Sequence, residues 1–141
     1  MGHKNKSFMK VLLINPPSDF RTPVLPLGLA SIAAYLKSKN IDVSVVDAWA
    51  EKLSLEDLKE KIRQSEADLV GIHMVSPRYK EAELTIKACR QALPSSIIII
   101  GGPHPSAVPE QILKEIKELD ICILGEGELT IYELAECLQK N

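Results

Sequence analysis

The sequence predicts an α/β domain built on a five-stranded parallel sheet. Two observations carry this. Short runs rich in Val, Ile and Leu alternate with longer segments of helical periodicity, five times over. Those apolar runs also lack polar alternation, so each strand is buried on both faces, as in a sheet covered by helices on either side. A doubly wound, three-layer α/β/α arrangement of the flavodoxin-like Rossmann type follows, with right-handed crossovers and strand order 2-1-3-4-5.

The first strand is 10–15, a Val-Leu-Leu-Ile run closed by Pro16 and Pro17. The segment 27–39 follows as a helix, with Leu29, Ile32, Ala33 and Leu36 on one face. The second strand is 42–47. A helix over 55–64 is opened by Ser54, with Asp57 three residues on as its capping partner. Strand three is 68–73 and helix three 79–91. Strand four, 96–101, is the most apolar. A helix over 109–118 begins at Pro109, where a missing N–H costs nothing. Strand five is 120–124 and the closing helix 129–139. Residues 1–9 read as a disordered tail, His3 included, and 10–141 as one domain.

Composition narrows the function. The chain has 141 residues, 45% hydrophobic and 26% charged, enough for a core without disulfides or metal. Seventeen Lys and Arg against 19 Asp and Glu leave a net charge of −2, which argues against nucleic acid or an anionic membrane as partner. There is no apolar run of transmembrane length, no secretory signal at the start, and no myristoylation pattern, because Lys6 stands where Ser or Thr is required. Cys89, Cys122 and Cys137 are scattered and read as reduced thiols. A cytoplasmic location is expected.

In an open parallel sheet, ligands bind beyond the carboxyl ends of the strands at the switch in strand order. Four loops lie there: the proline-rich 15–26, then 74–78, 101–109 and 125–128. Each can be plain turn chemistry; together they resemble a site in which glycine lets a flat ligand approach the backbone. Several ligands fit poorly. No G-x-G-x-x-G follows the first strand, whose exit is Asn15-Pro16-Pro17-Ser18, and proline has no N–H to give a phosphate. Gly125-Glu126-Gly127-Glu128 follows the wrong strand and would repel a pyrophosphate. A Walker lysine and the hydroxyl-rich loop of a flavin mononucleotide site are missing. Strands one and three end in Asn15 and His73, where a phosphoacceptor receiver needs acids.

The ordered set Asn15-Pro16-Pro17, Pro26-Leu27-Gly28-Leu29-Ala30, Asp47, Gly101-Gly102-Pro103-His104 and Gly125-Glu126-Gly127-Glu128 with Thr130 resembles the N-terminal cobalamin-binding domain of radical SAM enzymes. The subgroup is that of the anaerobic magnesium-protoporphyrin IX monomethyl ester cyclase and related methyltransferases. The resemblance covers 10–141. It implies a corrin lying across the carboxyl edge with its nucleotide tail inserted beside the first strand. Cofactor-binding residues would be Asn15, Pro16, Pro17, Leu27, Gly28, Met74, Val75, Ser76, Gly101, Gly102, Pro103, His104, Gly125, Glu126, Gly127 and Glu128. Within that set Pro16, Pro17 and Gly28 would border the tail, Gly101, Gly102 and His104 would meet the tail or the ring amides, and Gly125, Glu126 and Glu128 would line the far wall. No catalytic residue and no protein metal ligand is expected.

The wider cobalamin family carries D-x-H-x-x-G after strand one, whose histidine binds cobalt from below. The stretch from Pro17 to Gly28 has no histidine, so a base-off corrinoid is expected without one. His73 reads as a histidine hydrogen-bonded among strand ends in preference to one reaching the corrin, His104 as a hydrogen-bonding group, and Trp49 as packing. The cluster motif C-x-x-x-C-x-x-C is absent. The iron-sulfur cluster and S-adenosylmethionine would therefore belong to a separate catalytic domain, and this chain to an excised module or a free-standing carrier without activity of its own. A ligand-free flavodoxin-like interaction domain is the alternative. Gly102→Val is expected to block the corrin while sparing the fold.

Overall fold

Five parallel strands form one sheet in the order β2-β1-β3-β4-β5, in a computed structural model that describes residues 9–140. The strands are β1 (Lys10–Asn15), β2 (Asp42–Asp47), β3 (Leu69–His73), β4 (Ile97–Gly101) and β5 (Ile121–Cys122). The helices are α1 (Leu27–Ser38), α2 (Leu55–Ser65), α3 (Tyr79–Ala92), α4 (Pro103–Ala107), α5 (Pro109–Glu115) and α6 (Glu128–Lys140). The class and the strand order are those expected from the sequence. Alternate residues of each strand serve opposite faces. Leu12, Ile14, Val70, Ile72, Ile98 and Ile100 pack under α2, α3 and α5. Val11, Leu13, Leu69 and Ile99 pack under α1 and α6.

The capping expected at Ser54 is present: its Oγ accepts from the Asp57 N–H at 3.1 Å and donates to the Asp57 carboxylate at 2.8 Å. Pro109 opens α5 as expected. Most boundaries fall within a residue of the expected ones, and three places differ by more. The Gly-Gly-Pro-His-Pro segment is not a plain loop, because Pro103 at the first turn starts the short helix α4. Helix α5 stops at Glu115, since Ile116 turns extended (φ −111°, ψ 92°) and is buried. Strand β5 is shorter than expected, losing position 120 at its start and 123–124 at its end; the Asp120 carboxylate accepts from Ile98 N–H at 2.8 Å and from Arg90 at 2.7 Å. The tail expected over 1–9 lies outside the described residues except for Met9, which is buried in the α1/α6 core.

Candidate functional site

A cavity of roughly 450 Å³ opens at the carboxyl edge of the sheet, on the α1/α6 side. Its floor is Leu13, Gly71, Ile99 and Ile123, and its walls are Leu29 and Ile32 of α1 and Ile131 of α6. Its size falls within the range of about 300–1,000 Å³ usual for small-molecule sites. Every glycine among the described residues lines it: Gly28, Gly71, Gly101, Gly102, Gly125 and Gly127. At two of these positions glycine lets neighbouring side chains close on the backbone. Gly71 lies between Leu13 of β1 and Ile99 of β4 in register. A Cβ on Gly71 would stand 2.8 Å from Leu13 Cδ2, and one on Gly127 would meet Ile131 at 3.3 Å and Ile32 at 3.4 Å.

The mouth is tied together across loops. Ser106 Oγ donates to the Gly102 carbonyl at 3.0 Å and accepts from Gly125 N–H at 3.0 Å. Gly102 has φ +123°, and a Cβ there would lie 2.4 Å from the Met74 carbonyl oxygen. Glycine is thus required at 102 by the backbone itself. The expectation that Gly102→Val spares the fold is corrected: valine would strain the turn and strike main chain.

Of the residues expected at the site, Gly28, Gly101, Gly102, Pro103, Gly125, Glu126, Gly127 and Glu128 line this cavity. The other eight lie outside its lining. Asn15 is buried, donating to Asp47 Oδ1 at 2.9 Å and accepting from Arg78 Nη1 at 3.2 Å. Met74 is buried in the core on the opposite face. Pro16 and Pro17 offer their carbonyls to Arg78. Leu27 is exposed at the start of α1, and Val75 precedes a single 3-10 turn. Ser76 and His104 are paired with each other, Oγ to Nδ1 at 2.7 Å, and the His104 ring stands edge-on to Tyr79 at 5.4 Å. His104 therefore latches two loops together and does not line the cavity.

The structure also brings in residues outside the expected set. His73 lines the cavity, half-buried, and its ring makes no hydrogen bond among the described residues. The hydrogen-bonded reading of His73 is corrected. Burial, and then the nearby Arg78 cation, hold its pKa below the ordinary histidine value, which keeps the imidazole neutral. Gly71 was the legible signal that went unread, since an isolated glycine inside a strand marks a close approach. Arg78 and Ser106 had no local signal, because their partners are remote in sequence.

A doubly wound domain with an apolar, glycine-lined slot at its strand-order switch is the architecture of a small-molecule or cofactor binder. A family model, the B12 binding domain, matches residues 18–135. The uncharacterized methyltransferase PH0819 of Pyrococcus horikoshii is 33% identical over 94% of this chain and 30% of that protein. The anaerobic magnesium-protoporphyrin IX monomethyl ester cyclase of Rubrivivax gelatinosus is 30% identical over 94% of this chain and 25% of that protein. The structure of the cobalamin-dependent S-adenosylmethionine radical enzyme OxsB, with aqua-cobalamin and S-adenosylmethionine bound, superposes with a TM-score of 0.81 at 27% identity, covering 94% of this chain and 19% of that one. The chain belongs to the B12-binding domain family. It spans about a quarter to a third of the length of these curated relatives. None of its described helices is long and apolar enough to cross a membrane.

Proposed function

We propose that this domain holds cobalamin for a radical SAM methyltransferase or cyclase and contributes binding without catalysis. The single observation that carries the reading is the convergence of Gly28, Gly71, Gly101, Gly102, Gly125 and Gly127 on one apolar slot. A ligand-free interaction domain gives no reason for six glycines to gather on one apolar slot. The residues fit the cofactor's chemistry. A Cβ on Gly28 or Gly125 would meet nothing within 4 Å, so both leave room over the backbone. The slot takes a flat appendage and not a whole macrocycle. Residues between α1 and α6 would hold the nucleotide tail, and Gly101, Gly102 and the Gly125–Glu128 turn would carry the corrin.

Tail insertion would separate the base from the cobalt, giving the base-off form. No histidine stands between Pro17 and Gly28 to take its place. When bound, the cofactor supplies cobalt-centred methyl or radical chemistry; the protein orients it and excludes water. The exposed Phe20, Val24, Leu25, Leu27, Leu124 and Leu129 all sit on carboxyl-edge segments, which suits a catalytic domain docking over the open side. Anaerobic titration with hydroxocobalamin, followed by its visible spectrum, tests the reading. Saturable binding with a base-off spectrum is expected. A base-on spectrum would overturn the tail placement, and absence of binding would overturn the function.

A further inference from the structure

The 16–26 segment between β1 and α1 is proline-rich, mostly exposed and outside the sheet ladder, so something else must hold it. Two side chains do, and both come from distant elements. Arg78, only 6% exposed, lies in the 3-10 turn before α3. Its Nη2 donates to the carbonyls of Pro16 and, at 3.4 Å, Pro17, while Nη1 donates to Asn15 Oδ1. Its guanidinium also stacks over the Trp49 ring, with Cζ at 4.3 Å from the centroid. Trp49 Nε1 in turn donates to the Phe20 carbonyl at 2.8 Å. A planar, permanently charged fork suits two successive carbonyls and an aromatic face together. Proline supplies carbonyls with no competing N–H, which explains why this loop needs an external donor. The arrangement carries a cost: Arg78 Nε is buried without a partner.

We propose that Arg78 and Trp49 clasp the 16–26 loop as a preformed rim of the corrinoid site, with Arg78 as a positioning residue that acts through the loop. The inference rests on the cobalamin reading of the slot. The loop leads directly into Leu27 and Gly28 at the start of α1, and Gly28 lines the slot. Releasing the loop lets that entrance move, and a ligand must then bear the ordering cost that the clasp has already met.

Arg21 is exposed within the loop and gives a tryptic site that reports its opening. Trp49 is the chain's one tryptophan, so its emission reports the stacking. In Arg78→Met, cleavage after Arg21 is expected to accelerate and hydroxocobalamin affinity to fall, each by about tenfold or more. Arg78→Lys keeps a cation over Trp49 but loses the fork, and recovers part of both effects. Should Arg78→Met fail to fold, Trp49→Phe keeps the ring face, loses the N–H to Phe20, and moves both readouts the same way to a lesser degree. Unchanged cleavage would overturn the clasp. A loop that opens while affinity stays within about twofold would overturn its role in binding, as would a lysine variant no better than methionine. If the unaltered protein binds no hydroxocobalamin, the cobalamin reading and the rim role fail together. Cleavage and Trp49 emission still decide the clasp separately.

Discussion

The two faces of the sheet are built from the same residue types and end up different. Under α2, α3 and α5, the rows Leu12–Val70–Ile98 and Ile14–Ile72–Ile100 run unbroken across three strands, and all six side chains are buried. Under α1 and α6, the row Leu13–Gly71–Ile99 has glycine at its centre with Leu13 Cδ2 lying over it, and all three residues line a slot of roughly 450 Å³. Glycine in the middle strand and Gly127 at the start of α6 let side chains close on the backbone of this face, and the cavity remains above them between α1 and α6. The first face is packed for stability; the second holds back packing and reserves the space for a ligand.

The comparison breaks most violently at Gly102, which belongs to the mouth and yet supports the backbone of both. Gly102→Val brings a side chain against the Met74 carbonyl in a left-handed turn, and a loss of at least about 4 kcal/mol is expected. Denaturant unfolding measures it; a loss under about 1 kcal/mol would show that the turn relaxes. On the packed face, Ile98→Ala should cost about 2–5 kcal/mol. Hydroxocobalamin affinity of the folded fraction should then stay within about twofold, because the Ile98 side chain packs on the face opposite the slot.

Gly71→Ala sharpens the contrast. The added methyl meets Leu13 Cδ2, the far end of a side chain that borders open space. Leu13 can swing into the slot, so stability should change by no more than about 1 kcal/mol. Affinity for hydroxocobalamin should fall about tenfold or more, because the leucine now occupies the tail's volume. A thermal melt and a titration on the same sample check both halves. An unchanged affinity would move the ligand out of the slot.

The packed face was legible in the sequence and the slot only half so. Uninterrupted apolar runs such as Ile97–Gly101 announce strands buried on both sides, and the order 2-1-3-4-5 is one of the common orders of that doubly wound class. The glycine loops at the carboxyl edge were also readable, because turn residues declare themselves locally. What stayed hidden is set by tertiary partners. Nothing near Arg78 says that Pro16 and Pro17 will receive its fork, sixty residues away in the chain. Ser76 and His104 looked available to a ligand and are spent on each other. Trp49 read as packing, but its ring also stacks on Arg78 and its N–H holds Phe20.

The smallest expected effect concerns His73, the neutral imidazole on the slot's edge. Burial and the Arg78 cation lower its folded-state pKa below the ordinary value of 6.5. The unfolded chain therefore takes up a proton first as the solution is acidified. Stability from this group is complete above pH 6.5 and declines as pH falls through that value, levelling off below the lowered folded-state pKa. His73→Gln removes the titration and keeps a polar side chain of similar reach. His3 and His104 remain in both proteins, so the difference between the two stability curves isolates position 73. The variant should lose less stability than the parent between neutral pH and pH 5, a window about a unit and a half below the free histidine value. Parallel curves would mean that His73 titrates as a solvated histidine, and that the slot's edge is wetter than its apolar floor.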